Sequence, residues 1–168
     1  RRDAGATMEK RFDVVFVVNG LPLVIGEAKT PTRSAVTWFD GAFQVNEIYE
    51  KQVPAMFVPN VFSFATEGRL FRYGSIRMPI DMWGPWRDEE NQAEGQLHHV
   101  QASVTSMLRP EVVLDILQNF TLFATDKKHR RIKVICRYQQ YFTTNQLVDR
   151  VVKGTPKKGL IWHFQGSG

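Results

Sequence analysis

The sequence predicts an α/β protein in which a mixed β-sheet is flanked by helices. The main observation is a hairpin signal, because two β-branched, apolar runs surround Asn19-Gly20, a dipeptide preferred in two-residue hairpin turns. Both runs are apolar on successive residues, which indicates central strands covered on both faces. Helical periodicity then returns at intervals along the 168 residues, as expected for helices packed on that sheet.

The remaining elements follow in chain order. Residues 41–52 carry an apolar stripe at three- and four-residue spacing that stops before Pro54, which predicts a helix. Residues 68–87 are rich in Gly, Pro and Trp, which predicts extended or irregular structure. The other predicted segments are strands at 55–65, 132–136 and 159–163 and helices at 88–108, 110–120 and 139–152.

Composition excludes several classes of protein. The chain has one cysteine, Cys136, so it can form neither an internal disulfide nor a multi-cysteine zinc site, and a reducing, cytoplasmic compartment is expected. No apolar run approaches the roughly 20 residues that a membrane-spanning helix needs. Because the chain lacks an initiator methionine and ends in Gly-Ser-Gly, we expect a piece of a longer protein.

Charge is distributed unevenly along the chain. The net charge is +5, but residues 1–108 carry 11 basic and 13 acidic residues, whereas residues 109–168 carry 11 basic and 4 acidic. The densest basic cluster lies after a helical pattern and includes Lys127, Lys128, Arg130 and Arg131. Such a cluster is typical of a solvated loop, and the alternative is a patch that contacts DNA phosphates.

Three charged residues stand in the predicted hairpin. Asp13 lies in its first arm, whereas Glu27 and Lys29 lie two positions apart in its second arm and therefore on one face. Two carboxylates can bind a hard divalent cation, and a neighbouring lysine can stabilise charge on a phosphate. The alternative is an edge aspartate beside a surface ion pair, which is worth at most about 1 kcal/mol.

The register of the hairpin decides whether these residues meet. With a regular two-residue turn at Asn19-Gly20, Asp13 would face Gly26, and Glu27 would point to the other side of the sheet. A three-residue loop, or a β-bulge at Gly26, would bring Asp13 opposite Glu27. The hypothesis of a shared site therefore predicts one of these two irregularities.

The same residues carry a resemblance to a known family. Asp13 followed by Glu27-Ala28-Lys29, around an Asn-Gly-Leu-Pro centre, resembles the nuclease motif of the PD-(D/E)xK superfamily, and more narrowly that of the restriction (motor) subunit of type I restriction-modification enzymes. The resemblance implies a restriction-endonuclease-like fold and a Mg²⁺-dependent type I site-specific deoxyribonuclease that cuts double-stranded DNA. It implies Asp13, Glu27 and the Ala28 carbonyl as metal ligands, with Lys29 as the catalytic cation.

The family also has a Gln-xxx-Tyr element on the following helix. Tyr49 matches its tyrosine, but Val45 stands four positions earlier and Gln44 one further back. Three outcomes are open: Gln44 reaches the site from a shifted helix turn, Asn46 substitutes for it, or the contact is absent. For Tyr49 the alternative is a packed helix residue with a satisfied hydroxyl.

The end of the chain is similar to the start of the motor in the same subunits. Gly166-Ser167-Gly168 resembles a phosphate-binding loop cut before its lysine, and an engineered linker is the alternative. Upstream, the resemblance implies that Gln140, or else Gln139, reads an adenine edge, whereas helix-start polarity is the alternative. ATP is therefore the expected cofactor of the full-length protein, beside Mg²⁺.

The resemblance also implies a domain organisation. Residues 1–107 would form the endonuclease domain, 108–136 a basic helical connector, and 137–168 the first elements of a RecA-like, ATP-dependent translocase. The expected partners are double-stranded DNA and the methyltransferase and specificity subunits, with no membrane. The alternative function is a non-catalytic, nuclease-like DNA-binding or assembly module.

Overall fold

The protein is a mixed α/β structure built on one four-stranded sheet. A computed structural model describes residues 10–33, 35–87, 93–126 and 129–162. The strands are β1 (Val14–Val18), β2 (Leu21–Ala28), β3 (Phe62–Thr66) and β4 (Phe71–Gly74), in the order β1-β2-β3-β4. Because β2 and β3 are parallel and the other two pairs antiparallel, the sheet is mixed, as the sequence predicts.

Helices and a second hairpin surround this sheet. The first helix contains α1 (Trp38–Phe43), a π-helical turn that we name π1 (Gln44–Tyr49), and α2 (Glu50–Gln52). The later helices are α3 (Leu97–Met107), α4 (Pro110–Asn119) and α5 (Tyr138–Lys153). Between α4 and α5, β5 (Thr121–Thr125) and β6 (Arg131–Ile135) form an antiparallel pair.

The prediction that both hairpin strands are central is right for β2 and wrong for β1. Residues 23–27 of β2 are buried in succession because β1 and β3 flank this strand and helices cover its faces. In the part of the chain that the structure describes, β1 pairs only with β2 and forms an edge. Its Val17 is 54% exposed, so a β-branched run alone did not distinguish an edge strand from a central one.

The helix predicted at 41–52 begins earlier, at Trp38. Thr37 caps it, because the Thr37 hydroxyl accepts from the Phe39 N–H and the Asp40 carboxylate accepts from the Thr37 N–H. These contacts provide acceptors for backbone N–H groups that have no hydrogen-bond partner within the first turn of a helix. The helix ends at Gln52, before Pro54, as predicted.

Other boundaries differ from the prediction in identifiable ways. Residues 55–65 are strand only from Phe62, because Pro54 starts a 3₁₀ turn over Pro54–Phe57. A second 3₁₀ turn, Ile80–Met82, lies in the stretch predicted to be irregular. The predicted helix at 88–108 begins at Leu97, with residues 88–92 outside the described chain. The predictions for α4, β6 and α5 are confirmed, whereas β5 was not predicted.

The buried strand predicted at 159–163 is wrong for the residues that are described. Residues 159–162 form no strand, and Leu160 and Trp162 are 90% and 88% exposed. The apolar run indicated burial, but Ile161 between them is also 52% exposed. His163 lies outside the described residues.

Two apolar clusters cover the two faces of the sheet. The first contains Leu23 and Val24 of β2 and packs against α3, α4 and α5. The second contains Ile25 of β2 and packs against α1 and π1. The strand that carries Glu27 is therefore held on both faces. None of the helices described is long and apolar enough to cross a membrane.

Candidate active site

The β1–β2 hairpin brings Asp13 and Glu27 to the same rung of the sheet. Asn19 and Gly20 form a two-residue turn with φ of 50° and 80°. Val17 pairs with Pro22 and Phe16 with Val24, so Leu23 is an extra residue in β2, and Val14 then pairs with Gly26. One further step along this register puts Asp13 opposite Glu27.

The predicted irregularity exists, but at neither of the two predicted positions. The turn has two residues rather than three, and the bulge lies at Leu23 rather than at Gly26. A bulge inserts one residue wherever it lies between the turn and Glu27, so the register at the far end is the same. The bulge also explains why the consecutive residues Leu23 and Val24 belong to one cluster.

Asp13 directly precedes β1 and is exposed. Its Oδ2 accepts a hydrogen bond of 3.0 Å from the Ala28 N–H, which ties it across the hairpin to the end of β2. In an extended strand the N–H and C=O of one residue point to the same neighbour. The Ala28 carbonyl is therefore directed to the side of β2 on which Asp13 lies.

Glu27 is a buried carboxylate, with a side chain that is 3% exposed. Helix α1 lies against it, and Gly41 makes this approach possible, because a Cβ there would lie 3.2 Å from Ala65 Cβ and 3.5 Å from Glu27 Cβ. Burial raises the pKa of Glu27, the Lys29 ammonium opposes that rise, and the Asp13 charge adds to it. A cation placed between the two carboxylates would relieve their repulsion.

Lys29 lies just beyond the end of β2 and is held by two acceptors. Its Nζ donates to Glu27 Oε1 at 2.7 Å and to Gln44 Oε1 at 2.5 Å. The Lys29 side chain is 20% exposed, so the ammonium remains accessible from solvent. The ammonium therefore lies between the buried carboxylate and the π turn.

Tyr49 connects this group to the start of β1. Its hydroxyl accepts from Gln44 Nε2, lies 3.4 Å from Glu27 Oε2, and donates to the Arg11 carbonyl at 2.7 Å. The Phe12 ring packs on the Tyr49 ring with centroids 4.6 Å apart. Burial raises the pKa of Tyr49, the Gln44 hydrogen bond opposes that rise, and Glu27 adds to it, so the hydroxyl stays protonated.

Of the three arrangements left open for the glutamine, the structure has Gln44 reaching the site. Val45 is fully buried in the second cluster, and Asn46 donates to the Met78 carbonyl at 2.7 Å instead. The widened turn Gln44–Tyr49 brings residues five positions apart to one side of the helix. Arg11, Phe12 and Gly41 also contact the site residues Tyr49 and Glu27 and were not predicted to do so. Of the three, only Gly41 left a sequence signal, because a glycine inside a helical pattern is unusual.

The donor set fits Mg²⁺. Asp13, Glu27 and the Ala28 carbonyl offer oxygen atoms only, which hard cations prefer, and Mg²⁺ usually takes one or two protein carboxylates and keeps several waters. Among the described residues, no group of three or more His, Cys, Asp or Glu side chains is arranged to hold a metal. A site here would therefore depend on few protein ligands.

The two candidate glutamines at the start of α5 have different environments. Gln140 Oε1 accepts from the Arg137 N–H at 2.8 Å, a helix-start contact. Gln139 Oε1 is buried, and no described residue forms a hydrogen bond with it. Both residues line a cleft of about 560 Å³ that also includes Tyr73, Trp83 and Arg87. The cleft lies apart from the hairpin site, because Asp13, Glu27 and Lys29 are not among its lining residues.

The predicted basic cluster is partly described. Arg130 forms an ion pair of 2.8 Å with Asp126, and the Arg131 guanidinium lies 5.9 Å from the centre of the Phe123 ring. Both arginines are exposed on the β5–β6 hairpin. Three other predicted sites lie outside the described residues: Lys127, Lys128 and the segment Gly166-Ser167-Gly168.

A mixed sheet whose hairpin carries two carboxylates and a lysine is the arrangement that the resemblance to nucleases implies. Comparison with known proteins agrees: residues 3–79 match the family described as type I restriction enzyme R protein N terminus. This part of the chain belongs to that family.

Several curated relatives extend the similarity along the chain. The HindI endonuclease subunit of Haemophilus influenzae is 34% identical over 166 residues, which cover 93% of this chain. A protein of Methanocaldococcus jannaschii that carries the name putative type I restriction enzyme MjaVIIIP endonuclease subunit is 30% identical over 165 residues, again 93% of this chain. The SauCOLORF180P endonuclease subunit of Staphylococcus aureus is 25% identical over 96% of it. The matches cover only 16%, 15% and 17% of these relatives.

Proposed function

We propose that this chain carries the endonuclease centre of a type I restriction enzyme R subunit and hydrolyses phosphodiester bonds of double-stranded DNA with Mg²⁺. The observation that carries the proposal is the meeting of Asp13, Glu27 and Lys29 at one end of the β1–β2 hairpin. The names of the relatives, which are endonuclease subunits, support it.

Each group has a role that follows from its position. Asp13, Glu27 and the Ala28 carbonyl would hold Mg²⁺, which supplies Lewis-acid charge for a phosphoryl oxygen when bound. The Lys29 ammonium would stabilise the negative charge that grows on the phosphate. Because Asp13 is exposed and Lys29 partly so, a DNA backbone can approach this end of the sheet from solvent.

The decisive experiment is the variant Lys29→Ala in the full-length subunit, assembled with its complex. We expect DNA cleavage to fall by about 10²- to 10³-fold, the typical loss of one preorganised charge donor, while ATP turnover is unchanged. Lys51→Ala is the matched control, since Lys51 forms an exposed ion pair with Glu47. Equal cleavage by the two variants would contradict the proposal.

One observation favours a second function, a non-catalytic DNA-binding or assembly module. Glu27 and Lys29 form a direct ion pair of 2.7 Å, which by itself can satisfy the buried carboxylate. If the chain is such a module, the complex with Lys29→Ala should cleave DNA normally, and calorimetry should detect no Mn²⁺ binding that depends on Asp13 and Glu27. If the chain is a nuclease, Lys29→Ala should reduce cleavage, and calorimetry should detect Mn²⁺ binding that depends on these two residues.

The proposal extends to the rest of the chain. Residues 1–107 would carry the endonuclease function, 108–136 the connector and 137–168 the start of a RecA-like, ATP-driven translocase, although Val113 and Tyr141 pack in the same apolar cluster as the sheet. The protein would act in the cytoplasm with methyltransferase and specificity subunits that choose the DNA. Gln140, or else Gln139, would contact adenine; the Gln140 oxygen accepts from the Arg137 N–H, whereas the Gln139 oxygen has no partner among the described residues. Arg130 and Arg131 are exposed candidates for phosphate contacts.

A further inference from the structure

Three strand ends meet at the end of the sheet where the candidate active site lies. Asp13 directly precedes β1, and Lys29 directly follows β2. The strand β3 ends here as well, because it runs parallel to β2 and the Lys29 N–H donates to the Thr66 carbonyl at 2.7 Å. The chain segments next to these three strand ends therefore lie around the site.

One exposed arginine stands in each of these segments. Arg11 precedes β1, Arg33 follows β2, and Arg69 follows β3. The loop after β2 lies against the turn after β3, because a Cβ on Gly68 would lie 3.5 Å from Pro31 Cβ. Since β2 lies between β1 and β3, the three arginines follow the order of the strands across this end of the sheet. We name them the arginine row.

The backbone of each arginine in the row is fixed by a hydrogen bond. The Arg11 carbonyl accepts from the Tyr49 hydroxyl at 2.7 Å. The Arg33 carbonyl accepts from the N–H three residues later at 3.1 Å, and the Arg69 carbonyl accepts from the Gly95 N–H at 3.0 Å. Among the residues that the structure describes, no carboxylate forms an ion pair with any of the three guanidinium groups. The row thus combines a fixed backbone with charges that can bind a ligand.

Two acidic side chains near the row are engaged with other groups. Glu67 is 7% exposed and accepts hydrogen bonds from two backbone N–H groups. Glu94 forms ion pairs with Arg72 and Arg87. These carboxylates therefore do not neutralise the positive charge of the row, which remains available to an anion.

The row has the dimensions of a short length of DNA backbone. Neighbouring strands lie about 4.8 Å apart, so the ends of β1 and β3 are separated by about 10 Å. One DNA strand carries a phosphate for about every 3.4 Å of helix axis, so this separation corresponds to about three phosphates. Guanidinium groups bind phosphates through paired N–H donors. A line of three such groups matches a polyanion with repeating charges better than one small anion.

We propose that Arg11, Arg33 and Arg69 bind phosphates of the DNA strand that is cut and hold the scissile phosphate beside Asp13 and Lys29. This inference rests on the proposed function and adds to it the surface on which the DNA lies. Contacts with phosphates carry no base information, so the row binds DNA irrespective of its sequence.

The salt dependence of DNA binding tests the row. The full-length R subunit is titrated with a DNA duplex at several salt concentrations, without divalent cations so that the DNA stays intact. Each phosphate contact contributes about 0.9 to the slope of log K against log salt, so replacing all three arginines with glutamine should make the slope shallower by about 2.7. Arg33→Gln alone should change it by about 0.9. DNA contacts elsewhere in the subunit cancel in these differences.

Replacing the three arginines with lysine separates charge from fold. Lysine keeps the positive charge and also binds phosphates, so that variant should keep most of the wild-type slope. A lysine variant with the same shallow slope as the glutamine variant would contradict phosphate binding by the row.

The matched control removes three positive charges elsewhere, by glutamine substitutions at Lys51, Arg77 and Arg109, which are all exposed. Its slope should equal that of the wild type. An equal change of slope in the control and the row variant would overturn the proposal, because net charge would then explain both. An unchanged slope in the row variant would also overturn it, and the proposed function would stand if Lys29→Ala still loses cleavage. Normal cleavage by Lys29→Ala would instead reject the proposed function, on which the row depends.

Discussion

Two carboxylates in this protein, buried Glu27 and partly exposed Glu50, differ in what satisfies them. Glu27 contacts an ammonium, whereas Glu50 Oε2 accepts a 3.0 Å hydrogen bond from the Arg77 N–H. Burial raises the pKa of Glu50 to about 7, because one backbone hydrogen bond and the more distant positive charges only partly offset the loss of solvation. Arg77 itself has φ of 62°, so this contact also stabilises a backbone conformation that side chains rarely adopt.

The raised pKa makes a prediction about stability and pH. A carboxyl whose folded-state pKa exceeds its unfolded value contributes stability below the unfolded pKa of 4.5, and this contribution is lost as pH rises through about 7. We therefore expect Glu50→Gln, which can still accept from the Arg77 N–H, to be more stable relative to wild type at pH 8 than at pH 5. The relative gain should be about 1–2 kcal/mol, given partial solvent exposure.

Urea unfolding at the two pH values measures this difference. Glu111→Gln is a useful control, because Glu111 is an exposed partner of Arg109 on another helix and its charge is not among those that shift the Glu50 pKa. A pH dependence of unfolding that is unchanged by Glu50→Gln would show that Glu50 does not titrate as described.

At the scale of elements, the parallel pair β2–β3 depends on one close approach. Gly26 pairs with Phe64, whose ring lies over the glycine and stacks on Phe71 with centroids 5.3 Å apart. A Cβ on Gly26 would lie 2.1 Å from Phe64 Cζ, a distance that requires the ring to move. Glycine is thus needed beside Glu27 for packing rather than for a bulge.

Gly26→Ala should destabilise the protein by about 1–3 kcal/mol, the usual cost of overpacking a well-filled core. Thermal or urea unfolding measures this loss, and Phe64→Leu in the same chain should recover part of it by removing the clashing ring atoms. Gly84→Ala is the control, since a Cβ there meets nothing within 4 Å. Equal stability of the two alanine variants would contradict the close approach.

At the scale of the whole molecule, the sheet and the segment after residue 108 share one apolar cluster. Phe62 and Phe64 of β3 belong to the same cluster as Val113, Ile116 and Tyr141. Hydrogen bonds add to this packing: the Tyr73 hydroxyl donates to the Cys136 carbonyl at 2.8 Å, and the Ser75 hydroxyl donates to the Lys133 carbonyl at 2.6 Å. These two hydrogen bonds connect β4 and the residue after it to β6 and the residue after it.

This shared core predicts how truncations behave. A chain ending at residue 107 would lose α4, β6 and α5 and expose one face of the sheet, so we expect it to lose its cooperative thermal transition. A chain ending at residue 154 should unfold like the full one, because the described residues after Lys153 are exposed. Circular dichroism melts of the three chains compare them. A cooperative transition in the shortest chain at the same temperature would refute the shared core.

Local sequence signals predicted what depends on local chemistry. Asn19-Gly20 specified the turn because both residues adopt left-handed φ, and Pro54 and Pro110 marked a helix end and a helix start. The edge position of β1 and the missing strand at residues 159–162 escaped prediction. Both depend on what packs beside a segment, which its own residues do not encode.

The sequence by itself determined the α/β class, the hairpin and the identity of the charged groups, because propensity, turn chemistry and charge belong to individual residues. Only the tertiary structure decided that the extra residue lies at Leu23 and that a π turn brings Gln44 to Lys29. A bulge or a widened turn costs little locally and can form at several positions. Packing of both faces of β2 selects the position that buries Leu23, Val24 and Ile25 and brings Glu27 to Lys29.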